Sequence, residues 1–200
     1  MRVESGMSHN QSNGIGEFDV NKAIAAIAFL VRETGATMYS VMKMLYLADK
    51  AHLEQYGRFI TGDHYVAMEQ GPVPSCTYNM VKHVRGEDCR RPGDEVAKKF
   101  LSCDTESHKI TIRQMPDMDE LSQSDIECLA EIAGIYRRVG HWAVRDMAHD
   151  GAWKKTWSSL RRRLFKSVAM PLSVIAADVD QSGELNAHLR DRHPGEASRA

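Results

Sequence analysis

Two hundred residues at 42% hydrophobic and 26% charged supply enough apolar chain for one compact core, which excludes a wholly disordered protein. A net charge of -1 excludes a global field drawing the molecule to nucleic acid or a membrane, so any electrostatic preference is local. The longest apolar run, residues 23–31, is too short to cross a bilayer, and Glu4, Glu17 and Asp19 precede it where a signal peptide would be basic. Cytoplasmic residence is the expectation.

Residues 1–17 are polar and rich in Gly, Ser and Asn, so they are expected to be disordered. Asp19 is placed to cap a first helix whose stripe is Val20, Ile24, Ile27 and Val31, with Gly35 as its stop. Thr37 is placed to cap a second helix that Gly57 ends. Met38, Val41, Met42, Leu45, Tyr46, Ala48 and Leu53 leave this helix almost no solvated face, which predicts a central, buried element.

Residues 64–68 combine aromatic and β-branched side chains and read as a short strand. Pro72 and Pro74 are then expected to forbid regular structure, and Ser75 to cap a helix reaching Val84, with Gly86 behind it. Residues 86–94 read as a charged loop. Residues 100–103 and 109–113 flank a polar turn and predict a β-hairpin, since Ile110 and Ile112 alternate with polar neighbours.

Ser122 with Asp125, or Ser124 with Glu127, offers a capping box for a helix carrying Ile126, Leu129, Ile132, Ala133 and Tyr136, with Gly140 as its end. Residues 142–149 read as another helix. Helical spacing of Trp153, Trp157, Leu160, Leu164 and Val168 predicts a basic amphipathic helix. Residues 151–170 carry six basic side chains (Lys154, Lys155, Arg161, Arg162, Arg163 and Lys166) and no acidic one. Such a helix suits nucleic acid, an acidic partner or a membrane surface, or is simply docked with its basic face in solvent. Residues 179–200 are polar and read as a flexible tail, leaving one mainly helical domain over residues 18–178 with a small antiparallel hairpin.

Catalysis makes the strongest demand on residue types, and the sequence does not meet it. There is no G-x-S-x-G elbow, H-E-x-x-H helix or phosphate-binding glycine loop. Ser75 and His83 lie eight apart, on different helical faces. Cys76, Cys89, Cys103 and Cys128 form no C-x-x-C pair and read as reduced thiols; Cys76, His83 and Cys89 form the alternative, an irregularly spaced zinc site. No cofactor is expected. Asp49 on the apolar second helix must find hydrogen-bond partners, either in the Gly-Pro-Val-Pro turn or at a helix end, or else serve as a polar anchor in a binding groove. His149 and Trp153 are four apart and pack together if a helix continues through Gly151.

Residues 46–78 carry the most specific pattern: Tyr46-Leu47-Ala48-Asp49, Leu53, Tyr56-Gly57-Arg58, Ile60-Thr61-Gly62-Asp63, then Tyr65, Ala67 and Met68 leading into Gly71-Pro72-Val73-Pro74-Ser75. With His149, Trp153 and Lys154 downstream, this resembles the Panacea domain of SocA-like antitoxins over roughly residues 19–178. The resemblance implies a cytoplasmic bacterial or phage-associated antitoxin without enzymatic activity, which neutralises a cognate protein toxin by direct binding. It also raises delivery of that toxin to an ATP-dependent protease. The alternative is a DNA-binding regulator using Arg161, Arg162 and Arg163, although nucleic acid is not the expected partner and no membrane is. Candidate contact residues are Asp49, Tyr65, Met68, Glu69, Val73 and Tyr78, with the three arginines.

Overall fold

The computed structural model describes residues 17–88, 94–157 and 166–180. Helix α1 spans Val20–Thr34 and α2 spans Met38–Tyr56. The Asp19 carboxylate accepts from the Lys22 amide at 3.0 Å, and Gly35 and Gly57 close the two helices as their positions predict. Thr37 stands at the N-cap of α2 but makes no side-chain cap bond. Ala23 through Val31 are all buried, which accounts for the unbroken apolar run.

Strand β1 (Tyr65–Met68) pairs antiparallel with β2 (Gly71–Pro74), so the Gly-Pro-Val-Pro segment is a strand and not the irregular stretch its prolines suggest. The reason is the register. The Ser75 amide donates to the His64 carbonyl at 2.8 Å, and antiparallel alternation then points positions 74 and 72 away from β1. Both prolines therefore lack an N–H only on the outer edge of an edge strand, where none is needed. A third strand, β5 (Val168–Met170), covers the other side of β1, with Tyr65 opposite Met170 and Ala67 opposite Val168.

Helix α3 (Ser75–Val84) follows directly. Its cap is not the Ser75 hydroxyl but the buried Asp63 carboxylate, which accepts from the amides of Cys76 (2.9 Å) and Thr77 (2.7 Å) as well as His64 (2.7 Å). Helix α4 (Asp94–Phe100) leads into the predicted hairpin, β3 (Leu101–Cys103) and β4 (Ile110–Ile112).

Helix α5 (Gln123–Ala148) opens on the Ser122–Asp125 capping box and breaks at Gly140, whose φ of 77° and ψ of 179° separate the two helical stretches expected there. Helix α6 (Gly151–Thr156) is capped by Asp150 and stops early. The predicted amphipathic helix is thus corrected at both ends: Trp157 leaves helical geometry, and Val168 lies in β5, where a β-branched residue pairs across from Ala67. Residues 158–165, including Leu160 and Leu164, lie outside the described residues. Helix α7 (Leu172–Val179) ends the described chain.

The fold is mainly helical, and α2 is its axis. One side of α2 adds Val41, Met44, Leu45 and Ala48 to the core formed with α1 and α5. Its other side adds Tyr46 and Leu53 to a second core with Phe59, Tyr65, Trp157, Met170 and Ile175. Among the described residues, no helix is long and apolar enough to cross a membrane.

Candidate functional site

Burial along most of α2 forces its inward-facing polar residues to find partners. Asp49, 1% exposed, accepts from the Tyr65 hydroxyl at 2.6 Å and the Ile60 amide at 2.7 Å. Its partners therefore come from β1 and the preceding loop, not from the Gly-Pro-Val-Pro strand. Burial raises its pKa to about 7 despite those two hydrogen bonds, and pushes the Tyr65 hydroxyl well above its ordinary value.

His52, one turn further, is held between the Arg58 carbonyl and the Ser124 hydroxyl, beside Asp125 of α5. Burial opposes the Asp125 charge, but His52, Lys22 and Ser122 hold that carboxyl far below the usual range. Nearby, Lys50 joins Asp150 and Asp178 at 2.5 and 2.7 Å, and the Tyr46 hydroxyl donates to Asp150 at 2.8 Å. These contacts lock α2 to α5, α6 and α7.

Lys43 is the polar residue of α2 that periodicity alone passes over. It is 2% exposed, and its Nζ donates to the Pro72 carbonyl at 2.8 Å, tying α2 to β2. Burial alone lowers its pKa to about 7. Nζ lies over the Tyr39 ring, 5.2 Å from its centroid.

Lys43 also lines a cavity of about 660 Å³. Four of the residues nominated from the sequence, Met68, Glu69, Val73 and Tyr78, line the same cavity. Tyr39 and Met42 from α2, with Gln70, Trp157 and Lys166, complete the lining. Met42 and Val73 are buried, Met68, Tyr78 and Tyr39 are half-buried, and Glu69, Gln70 and Lys166 are exposed. The result is an apolar floor with charges at the rim and one ammonium in the wall.

The hairpin lining this cavity is held by Trp153. The Trp153 indole N–H donates to the Met68 carbonyl at 2.9 Å, and the Trp153 ring stacks on His149 at 4.1 Å. That pair packs as expected, although the helix does not continue between them: α5 ends before His149 and α6 starts afresh at Gly151. Gly71, at φ +103°, sits where any Cβ would lie 3.0 Å from His149 ring atoms and 3.1 Å from Lys43 Nζ. Only glycine fits both the backbone and the space.

Of the other sequence candidates, Asp49 and Tyr65 are buried and bonded to each other beneath the sheet, away from solvent. Arg161, Arg162, Arg163 and Cys89 lie outside the described residues. Cys76 stands 3.5 Å from His64, and His83 bonds Glu95 at 2.9 Å, so these two cysteine-site candidates have separate neighbours. Asp63, His64 and Cys76 bring ligand-type atoms within 4.8 Å of one another. Asp63, however, already accepts three backbone amides, two at the start of α3 and that of His64, which accounts for its burial without a metal.

Residues 41–154 match the family model described as antitoxin SocA-like, Panacea domain. The chain belongs to this antitoxin family. The matched stretch runs from α2 through the first turn of α6, and it contains Lys43, the β1–β2 hairpin, the Asp63 cap and the His149–Trp153 stack. The matched stretch thus covers most of the cavity lining, while Tyr39, Trp157 and Lys166 lie outside it. Panacea-domain membership assigns the chain an antitoxin-type role in general terms. Comparison with curated proteins and with solved structures gave no match.

Proposed function

We propose that this protein neutralises a cognate protein toxin by binding it directly, with the cavity face of the β1–β2 hairpin as the contact surface. The observation that carries the reading is the convergence of Met68, Glu69, Val73 and Tyr78 on one cavity within the Panacea domain. Half-buried aromatic and methionine side chains over an apolar floor are the kind of surface on which binding energy concentrates. The hairpin behind them is pinned by the Lys43–Pro72 and Trp153–Met68 hydrogen bonds, which limits the ordering cost added on binding.

A role without chemistry of its own fits the same geometry. Asp49, Asp63 and Asp125 are saturated by fixed donors and serve the fold. The test is co-expression with the product of the neighbouring gene. Growth arrest by that product is relieved by the wild-type chain and not by Met68→Asp, which places a charge in the apolar lining while leaving the buried core intact.

Neutralisation by blocking and neutralisation by delivery to an ATP-dependent protease differ in one measurable quantity. Under delivery, the toxin's half-life in cells falls when this protein is present. An unchanged half-life together with rescued growth assigns the effect to blocking.

A further inference from the structure

Lys43 carries a buried amino group with one hydrogen-bond partner and the Tyr39 ring 5.2 Å from Nζ. Its Nζ spends one hydrogen on the Pro72 carbonyl, and among the described residues no carboxylate lies within ion-pair distance. Burying an ammonium without an anion is costly, which is why burial lowers the Lys43 pKa to about 7, and a carboxylate beside Nζ would restore the charged form. Neighbouring His149 supplies no negative charge in either of its states, and burial lowers its pKa. Lys43 meanwhile lines the cavity together with Met42, Met68 and Val73.

Glu69 is exposed at the hairpin rim and Lys166 is exposed as well, so the rim carries one charge of each sign and the wall carries a positive one. The complement of this surface is an apolar group ending in a single negative charge. Resting on the antitoxin reading above, we infer that the cavity takes an acidic side chain of the toxin, seated so that its carboxylate pairs with Lys43 and the adjoining apolar residue covers Met42, Met68 and Val73. The pair forms in a site already shielded from water, where a charge-assisted hydrogen bond is strong and its geometry selective. Lys43 already holds β2 through Pro72, so the carboxylate would meet a positioned donor and not a mobile surface lysine.

The chemistry can be tested without the toxin. The full chain is titrated by calorimetry with 4-phenylbutyrate, an apolar carboxylate, and in parallel with 4-phenylbutanol, which has the same ring and chain without the charge. The wild type is expected to bind the acid at least tenfold more tightly than the alcohol. Lys43→Met, which keeps the length and removes the charge, abolishes that preference, and Lys43→Arg retains it. Equal binding of acid and alcohol, no binding of either, or a preserved preference in Lys43→Met overturns the inference. If Lys43→Met does not fold, the acid–alcohol comparison on wild type and Lys43→Arg still decides.

A second arm uses the neighbouring-gene product. Binding by wild type that drops tenfold or more in Lys43→Met, and drops equally when one toxin Asp or Glu is replaced by Asn or Gln, supports the pairing. Equal toxin binding by wild type and Lys43→Met overturns it while leaving the antitoxin reading standing. Preference for 4-phenylbutyrate with no toxin binding removes the antitoxin reading and the toxin as occupant, and leaves only the anion-selective cavity.

Discussion

Asp49 and Asp125 are both wholly buried carboxylates on packed helices, yet the fold moves them in opposite directions. Asp49 has two neutral donors, so burial wins and its pKa rises to about 7 from an ordinary value of 3.8. Between those pH values the native protein holds a proton that the unfolded chain has lost. Stability contributed by Asp49 is therefore complete below pH 3.8 and falls as the pH rises through about 7. Asp125 has Lys22 and Arg58 at 3.0 Å beside His52, so its contribution is present above the ordinary pKa and is lost only in strong acid. Melting temperature measured across pH 4–7 checks the first claim: Asp49→Asn is expected to flatten the decline, and an unchanged slope would refute the assignment. Tyr65→Phe leaves one Asp49 oxygen without its donor and is expected to cost about 1–3 kcal/mol in denaturant unfolding.

At the scale of elements, the β1–β2 hairpin and the start of α3 are the parts whose construction is least local. Helix ends were legible because their signals sit within one turn: Asp19, Gly35, Gly57 and the Ser122–Asp125 box all act where the sequence places them. Strand β2 was not, because its prolines become acceptable only once the register fixes which edge they face. Strand β5 is three residues long and gains its identity from pairing with β1, a hundred residues earlier in the chain. The cap of α3 reaches across from Asp63, thirteen residues before Cys76, so the adjacent Ser75 drew the expectation instead.

Two substitutions probe these non-local devices. Asp63→Ala strands three amides and is expected to destabilise by about 2–4 kcal/mol, with Asp63→Asn recovering part of it. Gly71→Ala meets both a left-handed φ and contacts near 3.0 Å with His149 and Lys43. Its expected cost is about 2–3 kcal/mol, read from chemical unfolding, together with loss of toxin binding as the hairpin shifts.

For the whole molecule, two cores share α2, so the helix that joins them also lines the cavity. Met68, Glu69, Val73 and Tyr78 were legible as a group because they crowd around one turn. Lys43 was not, because a single lysine in an apolar helix gains meaning only from its depth and from the Pro72 carbonyl above it. Asp49 was legible as a carboxylate on a buried helix that needs donors, but its donors were not, and Tyr65, nominated as a contact residue, is buried as one of them.

The most direct measurement is the affinity of the purified chain for the neighbouring-gene protein, compared between wild type, Met68→Asp and a control, Glu131→Arg, on the exposed face of α5. The account predicts tight binding by wild type and control and a loss of at least a hundredfold in Met68→Asp, with melting temperatures of all three alike. Binding that Met68→Asp leaves intact would contradict it.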